Sequence, residues 1–496
     1  MTAVAQPRRP DTRAPRAAWA GLAVLAASLL VVVMDMTILN VALPDLTADL
    51  RPTAVEQLWI VDAYALVLAG LLVPLAALAD RVGRRRVLLT GFTVFGVASL
   101  LALVADSPLE VIGVRVLLGV GGAMIMPATL SLIRVLFPDP RERALALGIW
   151  AAMASVGAAL GPIVGGALLE VFSWHAAFLV NVPLMVVAVV AGLRLLPESR
   201  SDRPGRIDAA GVVLSVAGMV GVVYAVKQLG KHGPEPLSLA LLVLGAALVA
   251  AFVRRCLRRD DPMLAVRLFG DRVFRAGVLT ALASSTVMMA LLFVASQWLQ
   301  LVQGWGPLHT GVALLPLAVG GLVGSPFAPA VAARIGVRTV LVAGLVATAA
   351  GLATVALLPH PMPYAGLAVA FLVVGLGTAA LGVGSALIMG RAPSHQAGSA
   401  AALEEMSYEV GGVLGVAVLG SIAGVVYRAG LPGSTPGDAA ESVAGALGTP
   451  VASAATDAFT EAFAAVGLVG AVLAAVAAVV VWRWIPRDLD LADLDH

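Results

Sequence analysis

The stretch VVVMDMTILN (31–40) places an acid, Asp35, inside an apolar run that extends from Ala17 to Leu43. An acid at the centre of a membrane-spanning helix costs roughly 2.5–3.5 kcal/mol, and such residues usually mark proton or ion routes or pair with another buried charge. Two further apolar stretches hold acids. Asp62 lies in LWIVDAYALVLAG (58–70), and Glu404, Glu405 and Glu409 lie in AAALEEMSYEVGG (400–412). One base, Arg115, opens RVLLGVGGAMIMP (115–127). On a helix Glu405 and Glu409 share a face, while Glu404 points about 100° away, near Tyr408. Acids of this kind suit the handling of protons and cations. The alternative is an acid buried for helix packing and permanently salt-bridged. No metal site and no cofactor is expected.

The elements that hold these residues follow from composition. Of 496 residues, 60% are hydrophobic and 12% charged, and mean hydropathy is +0.97. Soluble domains carry about 25% charged residues, so the chain is an all-α integral membrane protein. A span needs about 20 mostly apolar residues. Fourteen satisfy this: 17–43, 56–79, 87–105, 109–136, 144–170, 176–197, 209–229, 237–257, 274–301, 309–333, 338–358, 364–389, 398–427 and 459–485. The first run is far longer than the apolar region of a signal peptide and stays as a span. Cys256, a lone cysteine, has no partner for an internal disulfide.

Lys and Arg orient the spans. With both termini cytoplasmic, 27 of the 32 basic residues fall in or beside cytoplasmic segments; Arg51, Lys227, Lys231 and Arg428 fall outside, and Arg115 lies within a span. Trp19, Trp482 and Trp484 stand at cytoplasmic span ends, as an aromatic belt would have them. Asp35, Asp62 and Arg115 then share a depth of roughly 9–12 Å from the outer face, at about 1.5 Å per residue. Arg115 can therefore reach either Asp35 or Asp62.

A repeat organises the chain further. DRVGRRRVLLTG (80–91) matches ARIGVRTVLVAG (333–344) at six of twelve positions, 253 residues apart. The expected organisation is a cytoplasmic tail (1–16), a six-helix bundle (17–197), a linker with two inserted spans (198–273), a second six-helix bundle (274–485) and a cytoplasmic tail (486–496). Paired bundles of this kind place a substrate site between the halves near mid-membrane.

Two motifs suggest moving parts. In ALADRVGRRRVL (77–88), Asp80, Arg81, Gly83 and Arg84 form a tight, charged turn. It either anchors the chain by its positive charge or latches onto a neighbouring helix end in one conformation. In GAALGPIVGG (157–166), Gly157, Gly161 and Gly165 lie four apart on one face, with Pro162 as a kink. Small residues at that spacing let helices pack closely. Trp59, Tyr64, Met288, Met289, Trp298 and Tyr408 are candidates to line a cation's path, or simply to pack between helices.

Together these motifs resemble the major facilitator superfamily. DRVGRRR is similar to its loop 2–3 signature, with Ala76 in place of the usual leading Gly. RVLLGVGGAMIMP is similar to its fourth-span signature and GAALGPIVGG to the antiporter motif of proton-coupled exporters. MDMTILNVALP (34–44), WHAAFLVNVP (174–183) and fourteen spans narrow the resemblance to the fourteen-span drug/proton antiporter family. It implies the major facilitator fold, two six-helix bundles plus two inserted helices. It also implies proton-coupled efflux of lipophilic cations, with Glu404, Glu405 and Glu409 in proton coupling and cation recognition. Some relatives carry a further acid in span ten, associated with divalent cations; HTGVALLPLAVGGLVGSPFAPAVAA (309–333) has none.

Other classes fit poorly. There is no GxxxxGK[ST] for an ATP-driven pump and no HExxH for a zinc protease, so an enzyme is not expected. The expected partners are protons, small lipophilic cations or drugs and membrane lipids, with no nucleic acid, for a monomer in the plasma membrane. Export of an endogenous metabolite or self-made antibiotic fits the same residues.

Overall fold

The computed structural model describes residues 15–52, 54–204, 207, 209–232, 235–432, 435, 443–487 and 489. Most of both expected tails lies outside the described residues, as do 433, 434 and 436–442 of the expected outer loop (428–458). All regular secondary structure among the described residues is helical.

The first half comprises α1 (Arg16–Leu50), α2 (Ala54–Val82), α3 (Arg84–Leu101), α4 (Pro108–Leu136), α5 (Pro140–Leu169), the short α6 (Ala176–Leu179) and α7 (Asn181–Leu195). Two inserted helices follow, α8 (Ala209–His232) and α9 (Pro236–Leu257). The second half comprises α10 (Arg272–Gln297), α11 (Pro307–Gly324), α12 (Ala328–Ile335), α13 (Val337–Leu357), α14 (Tyr364–Thr378), α15 (Leu381–Arg391), α16 (Ala397–Leu414) and α17 (Gly420–Ala429). It closes with α18 (Val443–Ala446) and α19 (Ala452–Trp484).

Helix starts carry the expected local chemistry. Pro108, Pro140, Pro236 and Pro307 sit in the first turn, where the missing N–H costs nothing. Ser107 and Glu110 form a capping box at α4, and Asp139 and Asp271 cap α5 and α10.

Thirteen helices among the described residues are long and apolar enough to cross a membrane, and a bent pair makes a fourteenth span. That pair is span ten, expected over 309–333. Leu308–Gly324 and Ala328–Ile335 meet at 51°, at the break containing Pro326 and followed by Pro329, whose rings and missing N–H groups interrupt the helical ladder. Spans nine and thirteen each contain a wider turn, Trp298–Val302 and Gly415–Leu419. The first helix runs seven residues past the expected span end at Leu43, to Leu50.

The repeat has a conformational basis. Gly83 and Gly336, equivalent at the 253-residue offset, both take positive φ (129° and 88°) and each begins the following helix, α3 and α13. Only glycine adopts that conformation without strain, so the same turn recurs in both halves.

Within the first half α1 packs on α5, and α4 packs on α2 and α3; within the second, α10 packs on α16 and α19, and α14 on α11 and α13. The halves meet where α5 contacts α11 and α15, and where α2 and α4 contact α16. The inserted helix α8 lies on α2 and also touches α16. Its partner α9 is peripheral: its span is 17% buried inside the protein, against 83% for α4.

Candidate functional site

Asp35 sits midway along α1, held there by α5. A Cβ added at Gly157 would stand 2.6 Å from the Leu30 carbonyl, and one at Gly161 would strike Thr37 and come 3.0 Å from the Ile38 nitrogen. The third glycine, Gly165, faces Ile38 at 2.8 Å by the same measure. The glycine stripe is thus the seat of the α1 turns on either side of Asp35, and Pro162 lies within that stretch of α5.

Both carboxylate oxygens of Asp35 are engaged. Arg115 of α4 donates from Nη1 to Oδ2 at 2.9 Å, and Asn181 of α7 donates from Nδ2 to Oδ1 at 2.7 Å. The same Asn181 amide reaches Ser99 Oγ at 3.4 Å. Arg115 is also fixed by the Ile60 carbonyl, which accepts from Nε at 3.1 Å, and lies over the Tyr64 ring at 4.6 Å. Asp35 and Arg115 are 1% and 2% exposed, so each charge depends on the other for compensation.

Asp62 therefore takes a different partner. Lys227 Nζ of α8 donates to Asp62 Oδ1 at 2.6 Å. The sequence grouped Lys227 with outer-face charges. It lies at the outer end of the seventh span and in the fold reaches across to the first half. One turn away on each helix, Trp59 stacks on Tyr224 at 6.2 Å, with Trp59 42% exposed.

The three glutamates lie on α16, which is drawn tightly onto α10. Cβ atoms at Gly411 and Gly415 would stand 2.6 and 2.1 Å from the Leu282 and Thr286 carbonyls, and Ser285 Oγ donates to the Tyr408 carbonyl at 2.7 Å. Glu404 accepts from the Tyr408 hydroxyl at 3.4 Å, in agreement with the face expected for it. Glu405 is fully buried, and neither of its carboxylate oxygens has a hydrogen-bond partner among the described residues. Glu409 is half-buried on the same face of α16 as Met406 and Val413, which pack with residues of α2 and α8. The acids of α1, α2 and α16 thus lie on helices that meet where α16 packs against α2, α4 and α8 and α1 against α4.

The other expected lining residues divide. Met288 is buried on α10 with its Sδ 4.0 Å from Ser155 Oγ of α5, bridging the halves. Met289 flanks α16 at Gly412. Trp298 is fully buried in the core of the second half, its indole N–H donating to Thr460 Oγ1 at 2.9 Å beside Phe463.

The charged turn after α2 touches the opposite half. Arg84 donates to Asp80 Oδ1 from Nη2 at 2.8 Å and from Nε at 3.0 Å. The Asp80 carboxylate also lies directly against Gly398, in the first turn of α16. An acid there meets the positive end of the helix dipole. A Cβ at Gly398 would strike that carboxylate at 2.1–2.5 Å. Ser201 strengthens the junction, its N–H donating to the Asp80 carbonyl at 2.9 Å and its Oγ to the His395 carbonyl at 2.8 Å. Gly83 is closed over by Glu198, which accepts from the Arg85 N–H at 3.2 Å and pairs with Arg86 at 3.6 Å; Arg81 is exposed.

Asn181, Lys227, Ser201 and Gly398 escaped the sequence reading. Asn181 had a visible signal, a lone amide in the apolar run AAFLVNVPLMVV (176–187). Its target, 146 residues away, had none.

Paired helical halves, an inserted helix pair and charged groups buried where the halves meet define a membrane transport protein. The chain belongs to the Major Facilitator Superfamily, whose family model matches residues 25–423. It is 42% identical over 487 residues to the multidrug efflux pump LfrA of Mycolicibacterium smegmatis, covering 95% of this chain and 97% of that protein. It is 37% identical to the methyl viologen resistance protein SmvA of Salmonella typhimurium, covering 81% of this chain and 82% of that one. It is 36% identical to the puromycin resistance protein pur8 of Streptomyces alboniger, covering 82% and 81%. The human organic anion transporter MFSD10 has the same fold, with a TM-score of 0.59 at 14% identity, over 92% of this chain and 99% of that one.

Proposed function

We propose that the protein is a proton-coupled antiporter that exports lipophilic, mostly cationic compounds such as quaternary ammonium compounds, dyes and antibiotics. The observation that carries the reading is the placement of acids where the two halves meet: buried Asp35 and Asp62 from the first, buried Glu404 and Glu405 and half-buried Glu409 from the second. Intramembrane acids at a boundary between halves are the expected chemistry for exchanging a proton against a cation. The names of the relatives support drug efflux as the direction of travel.

In this mechanism the acids alternate between protonated and substrate-bound states. A cation arriving from the cytoplasm replaces the proton; a proton arriving from outside releases the cation. Only loaded or protonated carboxylates are neutral enough for the halves, residues 17–197 and 274–485, to rock past one another. Asp80 at the α16 N-terminus acts as the cytoplasmic latch, engaged in this conformation, and the glycine stripe of α5 is the surface on which α1 moves. The protein works as a monomer in the plasma membrane with both termini cytoplasmic.

Purified protein in liposomes should accumulate ethidium when a pH gradient is imposed, without ATP. Transport that needs ATP and ignores proton uncouplers overturns the reading. A second reading, export of a self-made antibiotic, is favoured by the puromycin resistance protein and by the 34%-identical tetracenomycin C resistance and export protein of Streptomyces glaucescens. Deletion in the native host followed by comparison of secreted metabolites tests it.

A further inference from the structure

Asp35 can exchange a proton in place only if its partners suit both of its forms. The ionised carboxylate needs donors, and the protonated acid needs an acceptor for its O–H. Arg115 meets Oδ2 at 2.9 Å, and a guanidinium can only donate. A proton arriving at Asp35 therefore belongs on Oδ1, which faces Asn181 Nδ2 at 2.7 Å.

Asn181 is the first residue of α7. Asparagine at a helix start commonly bonds the free backbone N–H groups, but this amide crosses to α1 and α3, where Nδ2 donates to Asp35 Oδ1 and to Ser99 Oγ at 3.4 Å. Its far end, Oδ1, is buried with no hydrogen-bond partner among the described residues. Asp35, Ser99 and Asn181 are all at most 1% exposed. A half-turn of the amide exchanges nitrogen and oxygen within the same volume. It brings Oδ1 to face Asp35 and Ser99, and it breaks no bond at the far end. The Ser99 hydroxyl both donates and accepts, so it suits either orientation. Among the described residues, the groups that meet this carboxylate are Arg115 from α4 and Asn181 from α7. From α5 the Gly157–Gly161 stretch packs alongside, α6 has no titratable residue, and Tyr64 of α2 lies under the Arg115 guanidinium.

We propose that Asn181 is a two-way positioning residue for proton exchange. Its amide donates to ionised Asp35 and, rotated by a half-turn, accepts from the protonated acid. The proton adds to Asp35 Oδ1 and leaves from it, and no other covalent bond changes.

The inference rests on the exporter reading, but its first readout needs no transport. The chain has two asparagines, Asn40 and Asn181, so asparagine carrying carbon-13 in its side chain yields two isotope-shifted amide carbonyl bands in the infrared. As purified protein is titrated, one of them should shift while the carboxyl band of Asp35 appears. Asn181→Leu should remove that band, and Asp35→Asn should hold it still at every pH. Asn181→Leu should also raise the midpoint of the Asp35 titration by about one pH unit. The ionised form loses a hydrogen bond to a charged group, whereas the protonated form loses only a weaker neutral one. A residue that merely packs would move neither reading.

Asp35 titrating beside an unmoving Asn181 amide overturns the proposal. So does a wild-type midpoint in Asn181→Leu, or an Asp35 that keeps one protonation state throughout. Should Asn181→Leu fail to fold, Asn181→Asp keeps the shape but puts two carboxyls in contact, which hold a shared proton. Ethidium uptake under a pH gradient should then be lost, and wild-type uptake refutes the assignment. Coupled bands in a wild-type protein that accumulates no ethidium uphold the amide switch and overturn the exporter reading.

Discussion

Asp35→Asn reproduces the shape of a protonated acid, and from the sequence it should fold while losing transport. The structure adds a cost. Arg115 is 2% exposed, and without Asp35 its compensation shrinks to the Ile60 carbonyl at 3.1 Å and the Tyr64 ring at 4.6 Å. Removing one partner of a buried ion pair typically costs about 3–5 kcal/mol. The asparagine oxygen still accepts from Arg115, and a bond to a charged group is worth about 1.5–3 kcal/mol. The net loss expected is about 2 kcal/mol, the difference between these two ranges. Asp35→Asn/Arg115→Gln removes both charges and should recover most of that loss without recovering proton-driven transport. Equilibrium unfolding of purified wild-type, single and double variants measures the coupling, and ethidium uptake under a pH gradient measures function. A single variant as stable as wild type refutes the idea that Arg115 depends on Asp35. A double variant with wild-type proton-driven uptake refutes the role of Asp35 in coupling.

Glu405→Gln should behave oppositely, because Glu405 has no ionic partner to strand among the described residues: unfolding should match wild type within about 1 kcal/mol, the scale of an ordinary hydrogen bond, while pH-driven ethidium uptake is lost. Retained uptake at normal expression removes Glu405 from the mechanism. Gly398→Ala should push the Asp80 carboxylate off the α16 N-terminus at an overpacking cost of about 1–3 kcal/mol. Cross-linking between introduced cysteines at positions 201 and 395 should slow, and unchanged cross-linking shows that the latch does not depend on that contact.

The class of the protein, the number of spans, the repeat and the positions of the buried acids were legible in the residues themselves. Each depends on the transfer of a short segment into lipid or on the conformational freedom of one glycine, as at Gly83 and Gly336, and needs no knowledge of neighbours. The 51° break in span ten was written in SPFAP (325–329) but is masked by a continuous apolar run. The pairing of the charges was not legible. Arg115 stands at the depth of both Asp35 and Asp62, and depth alone leaves the choice open. The rotation of α4 about its axis points Arg115 at Asp35, which Asn181 also holds, and the seating of α8 on Gly70 brings Lys227 to Asp62 across 165 residues. Hydropathy is a property of each residue and survives in one dimension; which ions meet depends on helix rotation and crossing, which close packing between small residues sets only in the folded protein.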